Sequence, residues 1–409
     1  MFPILTPAPR GTAIKGSKRR SRPYMVAAMK PENSCGAAAL RAEFKTRMEE
    51  FARREIHGHD ELRDCKTMPP KLWRAIGDAG LAGIALPREY GGGGGDLRAL
   101  AVAAEALTAQ GGVKGIATSW LGRQLVARLQ ILAHGTPAQR QAYLPALAAG
   151  DFTPCLAISE PGAGAHPKHL TTHARRDGGD FVISGEKAYL TNGPIADIFL
   201  VLAITDVAAG RKRYSILIVP RDAPGMEFTD GVEIDFLRPA PHCGLRLHDV
   251  RVPAANLLGG NGDAFERISL PMRTAEDALF AATIAGSMRH LLARLAGELD
   301  GGALDDEGLS ELGRLAVAPD GLSALAFRAA ELLDMDAAGN AGQVAAISAS
   351  ARDWARTMND RIGALMTCGN FVPSDGLAAE YRNIDKTLGI AKSAHVIMAQ
   401  RRAGTLLAS

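Results

Sequence analysis

Two turn-bounded runs constrain this chain more than anything else in it: Ala157-Ile158-Ser159-Glu160-Pro161-Gly162-Ala163-Gly164 and Gly185-Glu186-Lys187-Ala188-Tyr189-Leu190-Thr191-Asn192-Gly193. The first follows an apolar, strand-like segment and breaks at Pro-Gly, so the backbone turns there and leaves amide groups free to meet a ligand. Between the runs, Asp177-Gly178 reads as a hairpin turn feeding a new strand at Phe181-Val182-Ile183-Ser184. Two loops, each offering a hydroxyl beside an apolar strand, can converge on one planar polar ligand. That is the shape of a cofactor site.

The flanking sequence is organised around this stretch. From Ala38 to Gly150 the period is helical: Phe44, Met48, Phe51 and Ile56 recur at helical intervals, and Pro69-Pro70 opens a second helix. Further helices run over Leu97 to Leu107 and Trp120 to His134, and Thr136-Pro137 caps the last of them. Tyr90 and the five glycines after it read as too flexible to form an element. From Phe152 to Leu258 the period becomes strand-like, with Phe199 to Ile204 and Tyr214 to Val219 as short apolar strands. Helix resumes at Phe265, and Glu276 to Leu292 reads as one long helix whose small residues admit a close neighbour. The reading is α+β in the order α-β-α, without the βαβ alternation of a doubly wound sheet. Its expected parts are a disordered basic tail at 1–37, a helical domain at 38–151, a β domain at 152–260 and a helical domain at 261–409.

The two runs resemble the flavin-binding signature of the acyl-CoA dehydrogenase family, a Thr/Ser-Glu-Pro-Gly-Ser/Ala-Gly loop followed by a Gly-x-Lys-x-Trp/Tyr-Ile/Leu-Thr-Asn-Gly loop. The resemblance implies a middle β-barrel or sandwich between helical domains, with FAD held by Ile158, Ser159, Gly164, Tyr189 and Thr191. Ser159 would offer its hydroxyl to the pyrimidine edge of the ring, Tyr189 would cover a ring face, and Thr191 would hydrogen-bond near N5, where a donor stabilises the reduced ring. It further implies α,β-desaturation of an acyl-CoA or carrier-bound acyl thioester, an electron-transfer flavoprotein as acceptor, and a homodimer or homotetramer.

The catalytic base is where this sequence departs from that pattern. The C-terminal glutamate of most relatives aligns with Lys392, and an ordinary ammonium cannot accept a proton at neutral pH. Lys392 would still offer its backbone amide to the thioester carbonyl. Glu276 matches the base position of a subset of relatives, beside Asp277 where the family has a substrate-anchoring Arg. Glu276 reads either as that base or as a solvated residue in a helix's first turn. Ala165 and His166 replace a hydroxyl and an Asp in the first motif, and two segments that reach the adenine end, around 300–315 and 367–371, are eroded. Other flavin or non-redox chemistry, or a non-catalytic paralogue, therefore stay open as alternatives.

Composition excludes other classes. A net charge of +3 over 409 residues gives no mandate for nucleic acid, and no apolar run approaches a bilayer span. The five cysteines show neither a disulfide framework nor metal-ligand pairing, so no metal is expected and a reducing, cytoplasmic setting fits.

Overall fold

A computed structural model describes residues 34–232, 234–299, 304–368 and 371–390, with scattered positions up to 407. Five helices come first: α1 (Ser34–Glu55), α2 (Pro70–Asp78), α3 (Leu97–Gly111), α4 (Lys114–Val126), which runs on as a π-turn over Ala127–Leu132, and α5 (Pro137–Ala149). Residues 34–37, expected in the tail, are the first turn of α1. The rest of the tail lies outside the described residues. Phe44, Met48, Phe51 and Ile56 are all buried, as their spacing demands. Thr136 caps α5 through a reciprocal bond pair with Gln139, a capping box.

The strands are β1 (Pro154–Ala157), β2 (His173–Asp177), β3 (Asp180–Thr191), β4 (Ile198–Ala208), β5 (Arg211–Pro220), β6 (Met226–Thr229), β7 (His242–Pro253) and β8 (Leu257–Leu258). They form one sheet in the order β6-β7-β3-β2-β4-β5-β8, with β1 parallel to β4. The β2–β3 hairpin turns at Asp177-Gly178, as read from the sequence. β4 is apolar without alternation because both its faces are buried. Ile198, Leu200 and Leu202 pack into the cluster shared with the helices, whereas Phe199, Val201 and Ala203 join Leu245, Leu247 and Val250 on the other side.

Four helices close the chain: α6 (Leu270–Glu298), α7 (Asp306–Asp336), α8 (Ala341–Leu365) and α9 (Asp375–Gly389). α6 is the long helix expected, but it starts six residues before Glu276, which therefore sits beyond the first turn. A Cβ on Gly286 would stand 2.1 Å from the Thr108 hydroxyl, so this small residue is what lets α3 cross α6 closely. Among the described residues no helix is long and apolar enough to cross a membrane.

The glycine run corrects an expectation. It forms no regular element, yet it is tied down: the amides of Gly93, Gly94 and Gly95 donate to the carbonyls of Gly83, Leu86 and Ile84. Gly91 and Gly94 take left-handed backbone at φ of 81° and 73°, whereas Gly92, Gly93 and Gly95 are there for contact: a Cβ on Gly92 would lie 2.3 Å from the Leu86 carbonyl oxygen. Gly92→Ala is expected to destabilise the fold by about 1–3 kcal/mol through overpacking. Gly122→Ala, on α4 with nothing near its Cβ, should instead stabilise by up to about 1 kcal/mol. Paired denaturant melts of the two variants check both signs.

Candidate active site

The two sequence runs meet, and a buried ion pair joins them. Lys187 Nζ donates to Glu160 Oε1 and to the Ile158 carbonyl, both at 3.0 Å, and its side chain is wholly buried. Glu160 also accepts from the amides of Thr171 (2.7 Å) and Thr172 (2.9 Å) and from the Thr171 hydroxyl (2.8 Å). These partners satisfy the buried carboxylate and, against the cost of its burial, hold it down at about 2. Burial pulls Lys187 down to about 8 although Glu160 pulls the other way. Both groups are thus ionised at neutral pH.

The same junction forces Tyr189 outward. β3 carries one extra residue between Lys187 and Leu190 relative to β7, and this bulge lets the Ala188 amide donate to the Ser159 carbonyl at 2.9 Å. Tyr189 follows with φ of 61°, a left-handed conformation that costs a tyrosine about 1–2 kcal/mol. The residue is 43% exposed, in a sheet whose other large aromatics are mostly packed. A strained residue holding out an unpaired aromatic face is what a planar ligand needs. Tyr189→Gly should melt above Tyr189→Ala by about 1 kcal/mol, because glycine alone relieves the left-handed backbone. Thermal unfolding of the two ligand-free variants tests this.

The remaining motif residues hold the frame. Asn192, itself left-handed at φ 65°, accepts from the Ser119 hydroxyl of α4 and donates to the Ser119 carbonyl at 2.9 Å. A Cβ on Gly193 would strike Cys243 Sγ at 2.4 Å. The first loop closes by hydrogen bonds between Glu160 and Gly164, with Gly162 and Gly164 left-handed. Ile158 and Ser159 spend their carbonyls on Lys187 and Ala188, and the Ser159 side chain is half-buried beside them.

The Thr191 hydroxyl already has a partner within the protein. His242 Nδ1 faces the Ala240 carbonyl at 2.9 Å, so it carries the proton and leaves Nε2 as acceptor. Burial lowers the His242 pKa and keeps the ring neutral. Thr191 therefore donates its hydroxyl proton to Nε2 at 3.1 Å. His166 is exposed in its loop, its ring 4.7 Å from that of His169.

α4 links these loops to α6. Its Ser119 clamps Asn192, and its Lys114 donates to Thr283 on α6 at 2.9 Å. Glu276, Phe280 and Thr283 share one face of α6 by helical spacing. Glu276 is exposed; desolvation by the surrounding protein first, and Asp277 second, weaken its charged form. These effects outweigh Arg273 and raise it to about 7. Asp277 itself faces Arg352 Nη2 at 3.5 Å and Arg273 at 4.0 Å. Lys392 lies outside the described residues. Among the described residues no group of acidic, His or Cys side chains is arranged to hold a metal ion.

Sequence reasoning had assigned no task to Glu160, Lys187, Asn192, His242, Lys114 or Arg352. The first three were visible inside the motifs as buried-type polar residues at fixed places, which is the signal that a frame residue gives.

Comparison with known proteins adds to this geometry. The family model "Acyl-CoA dehydrogenase, N-terminal domain" matches residues 40–151, and "Acyl-CoA dehydrogenase, middle domain" matches residues 155–250. The chain is 34% identical over 223 residues to a 2-methylacyl-CoA dehydrogenase of Solanum tuberosum, covering 54% of each. It is 33% identical over 223 residues to an isovaleryl-CoA dehydrogenase of Oryza sativa subsp. japonica, again covering 54% of each. The chain thus spans about half the length of the curated relatives it matches. Butyryl-CoA dehydrogenase from Megasphaera elsdenii superposes with a TM-score of 0.77 at 21% identity, over 90% of this chain and 98% of that one. With its helical, β and helical parts in that order and both signature loops joined at Lys187 and Glu160, the chain belongs to the acyl-CoA dehydrogenase family.

Proposed function

We propose that this chain is an FAD-dependent dehydrogenase that desaturates an acyl thioester, carried on CoA or on a carrier protein, with Glu276 as the base. The observation that carries the reading is the joined pair of loops with Tyr189 held open on a strained backbone. Ile158, Ser159, Gly164, Tyr189 and Thr191 would line the flavin, a reading supported by the exposed Tyr189 and the half-buried Ser159. Bound FAD would supply the hydride acceptor. Glu276 would take the α-proton of the thioester, and a pKa near neutrality suits a group that must accept a proton and release it each turnover. Asp277 serves by raising that pKa rather than by anchoring substrate, since its own carboxylate is turned to Arg352 and Arg273. The main-chain amide of Lys392 would polarise the carbonyl, as a backbone donor survives a change of side chain. An electron-transfer flavoprotein is the proposed acceptor and a homodimer or homotetramer the proposed assembly, both from family membership.

The test is anaerobic titration of the purified yellow protein with a panel of acyl thioesters. Bleaching of the flavin absorbance without oxygen consumption is the expected result. A preparation that stays colourless with added FAD removes the proposal, and oxygen consumption matched to turnover moves it to an oxidase.

A further inference from the structure

Lys114 is 7% exposed and has no carboxylate partner among the described residues. Its single hydrogen bond goes to Thr283 Oγ1 at 2.9 Å, and that hydroxyl spends its own proton on the Phe280 carbonyl at 2.8 Å. Two ammonium N–H bonds are left over. Arg352 of α8, also 7% exposed, reaches Asp277 with Nη2, while its buried Nη1 has no hydrogen-bond partner among the described residues. Both cations lie against one ring: Lys114 Nζ is 4.7 Å and Arg352 Cζ 4.5 Å from the centroid of Phe280.

Cations are seldom buried without anions, because desolvation costs several kcal/mol per ion and cation–π contact returns only about 2. Around Phe280 two cations face one carboxylate, Asp277, which Arg273 also approaches at 4.0 Å. Lys114 Nζ and Arg352 Nη1 therefore have no anion of their own among the described residues, since Asp277 is already shared between Arg352 Nη2 and Arg273. Burial, with Arg352 second, drops the Lys114 ammonium to about 7, a cost that an arriving anion would reverse.

The position of this group says which anion. Phe280 is one turn along α6 from Glu276 and Thr283 two turns, so the face from the base to Lys114 runs roughly 10 Å. That is the reach of a short acyl chain whose α-carbon lies at Glu276. Resting on the dehydrogenase reading above, we propose that Lys114 and Arg352 form an anion subsite for the distal carboxylate of a dicarboxylic acyl thioester. Lys114 would donate its two unused protons and Arg352 its free Nη1, with Phe280 flooring the chain between base and cations. The chain would thus select short ω-carboxyacyl groups over plain fatty acyl groups.

Equal-length probes test this: adipyl-CoA against hexanoyl-CoA and suberyl-CoA against octanoyl-CoA, on the FAD-loaded protein, reading anaerobic bleaching and the melting temperature with each thioester. The acidic member of at least one pair should be favoured at least tenfold in half-saturating concentration and should raise the melting temperature more. Lys114→Met should lower that ratio at least tenfold, and Lys114→Arg should retain most of it. Bleaching by the neutral members as readily as by the acidic ones overturns the subsite and leaves the dehydrogenase reading standing. No bleaching and no melting shift with any thioester removes both. Where Lys114→Met does not fold, the wild-type ratio decides by itself; equal stabilisation of wild type and a folded Lys114→Met by free adipate would also overturn the assignment.

Discussion

Glu276→Gln is expected to bind FAD like the wild type and to lose anaerobic flavin reduction by acyl thioesters by a factor of about 10²–10⁴, the usual worth of a positioned base. The amide keeps the size and helical position of the carboxylate but cannot accept the α-proton. Undiminished reduction in this variant would remove Glu276 from the mechanism. The wild-type pH profile gives a second reading of the same group. Desolvation first, and Asp277 second, raise its pKa to about 7, with Arg273 opposing. The active form is the ionised one, so the reduction rate should climb as pH rises through about 7 and level off above it. Asp277→Asn removes the like charge and should move that climb to lower pH. Folding stability runs the other way. Since the folded-state pKa lies above the ordinary 4.5, the unfolded chain releases this proton first, and the contribution of Glu276 to stability falls between about 4.5 and 7.

What could be read in the letters was local. The 3.6-residue spacing of Phe44, Met48 and Phe51, the Thr136-Pro137 start of α5 and the Asp177-Gly178 hairpin each depend on near neighbours in the chain, and each is found in place. Contacts fixed by register and packing were not readable. Lys187 reaches Glu160 across 27 residues only because the sheet and the first loop are folded against each other, with the Ala188 amide bonded to the Ser159 carbonyl. The positive φ of Tyr189 is a consequence of the bulge in β3, not of tyrosine. Thr191 looked like a free donor because the sequence does not say that His242 of β7 stands opposite it, already fixed in tautomer by Ala240. Lys114 and Arg352 belong to helices far apart in the chain and become a pair only where α4 and α8 both meet α6 at Phe280. The glycine run was misread for a related reason. Glycine reports freedom to the reader of a sequence, and Gly91 and Gly94 use it in their left-handed backbone, but Leu86, Ile84 and Phe44 crowd the Cβ positions of Gly92, Gly93 and Gly95.

Lys187→Met is the second large expectation: a loss of about 3–5 kcal/mol in folding stability, together with loss of FAD retention. The methionine fills the space but leaves Glu160 buried, charged and without its cation, and stranding one member of a buried pair carries that cost. The Ile158 carbonyl loses its donor at the same time. The first loop would then be free to part from β3, and the surface beside Tyr189 would lose one wall. Adding Glu160→Gln in the same chain should restore part of the stability, because an amide tolerates burial beside Thr171 and Thr172 better than an unpaired carboxylate does. FAD should remain weakly held in the double variant, since the loops are still untied. Acid offers an independent check. Glu160 titrates at about 2 in the fold against 4.5 when free, so its stabilisation is complete above 4.5 and disappears as pH falls toward 2. Wild type should therefore lose stability steeply in that window, while Lys187→Met, which has already lost the pair, should show a shallower slope. Equal acid slopes in the two proteins would mean that the ion pair does not tie the loops, and the cofactor platform would need another explanation.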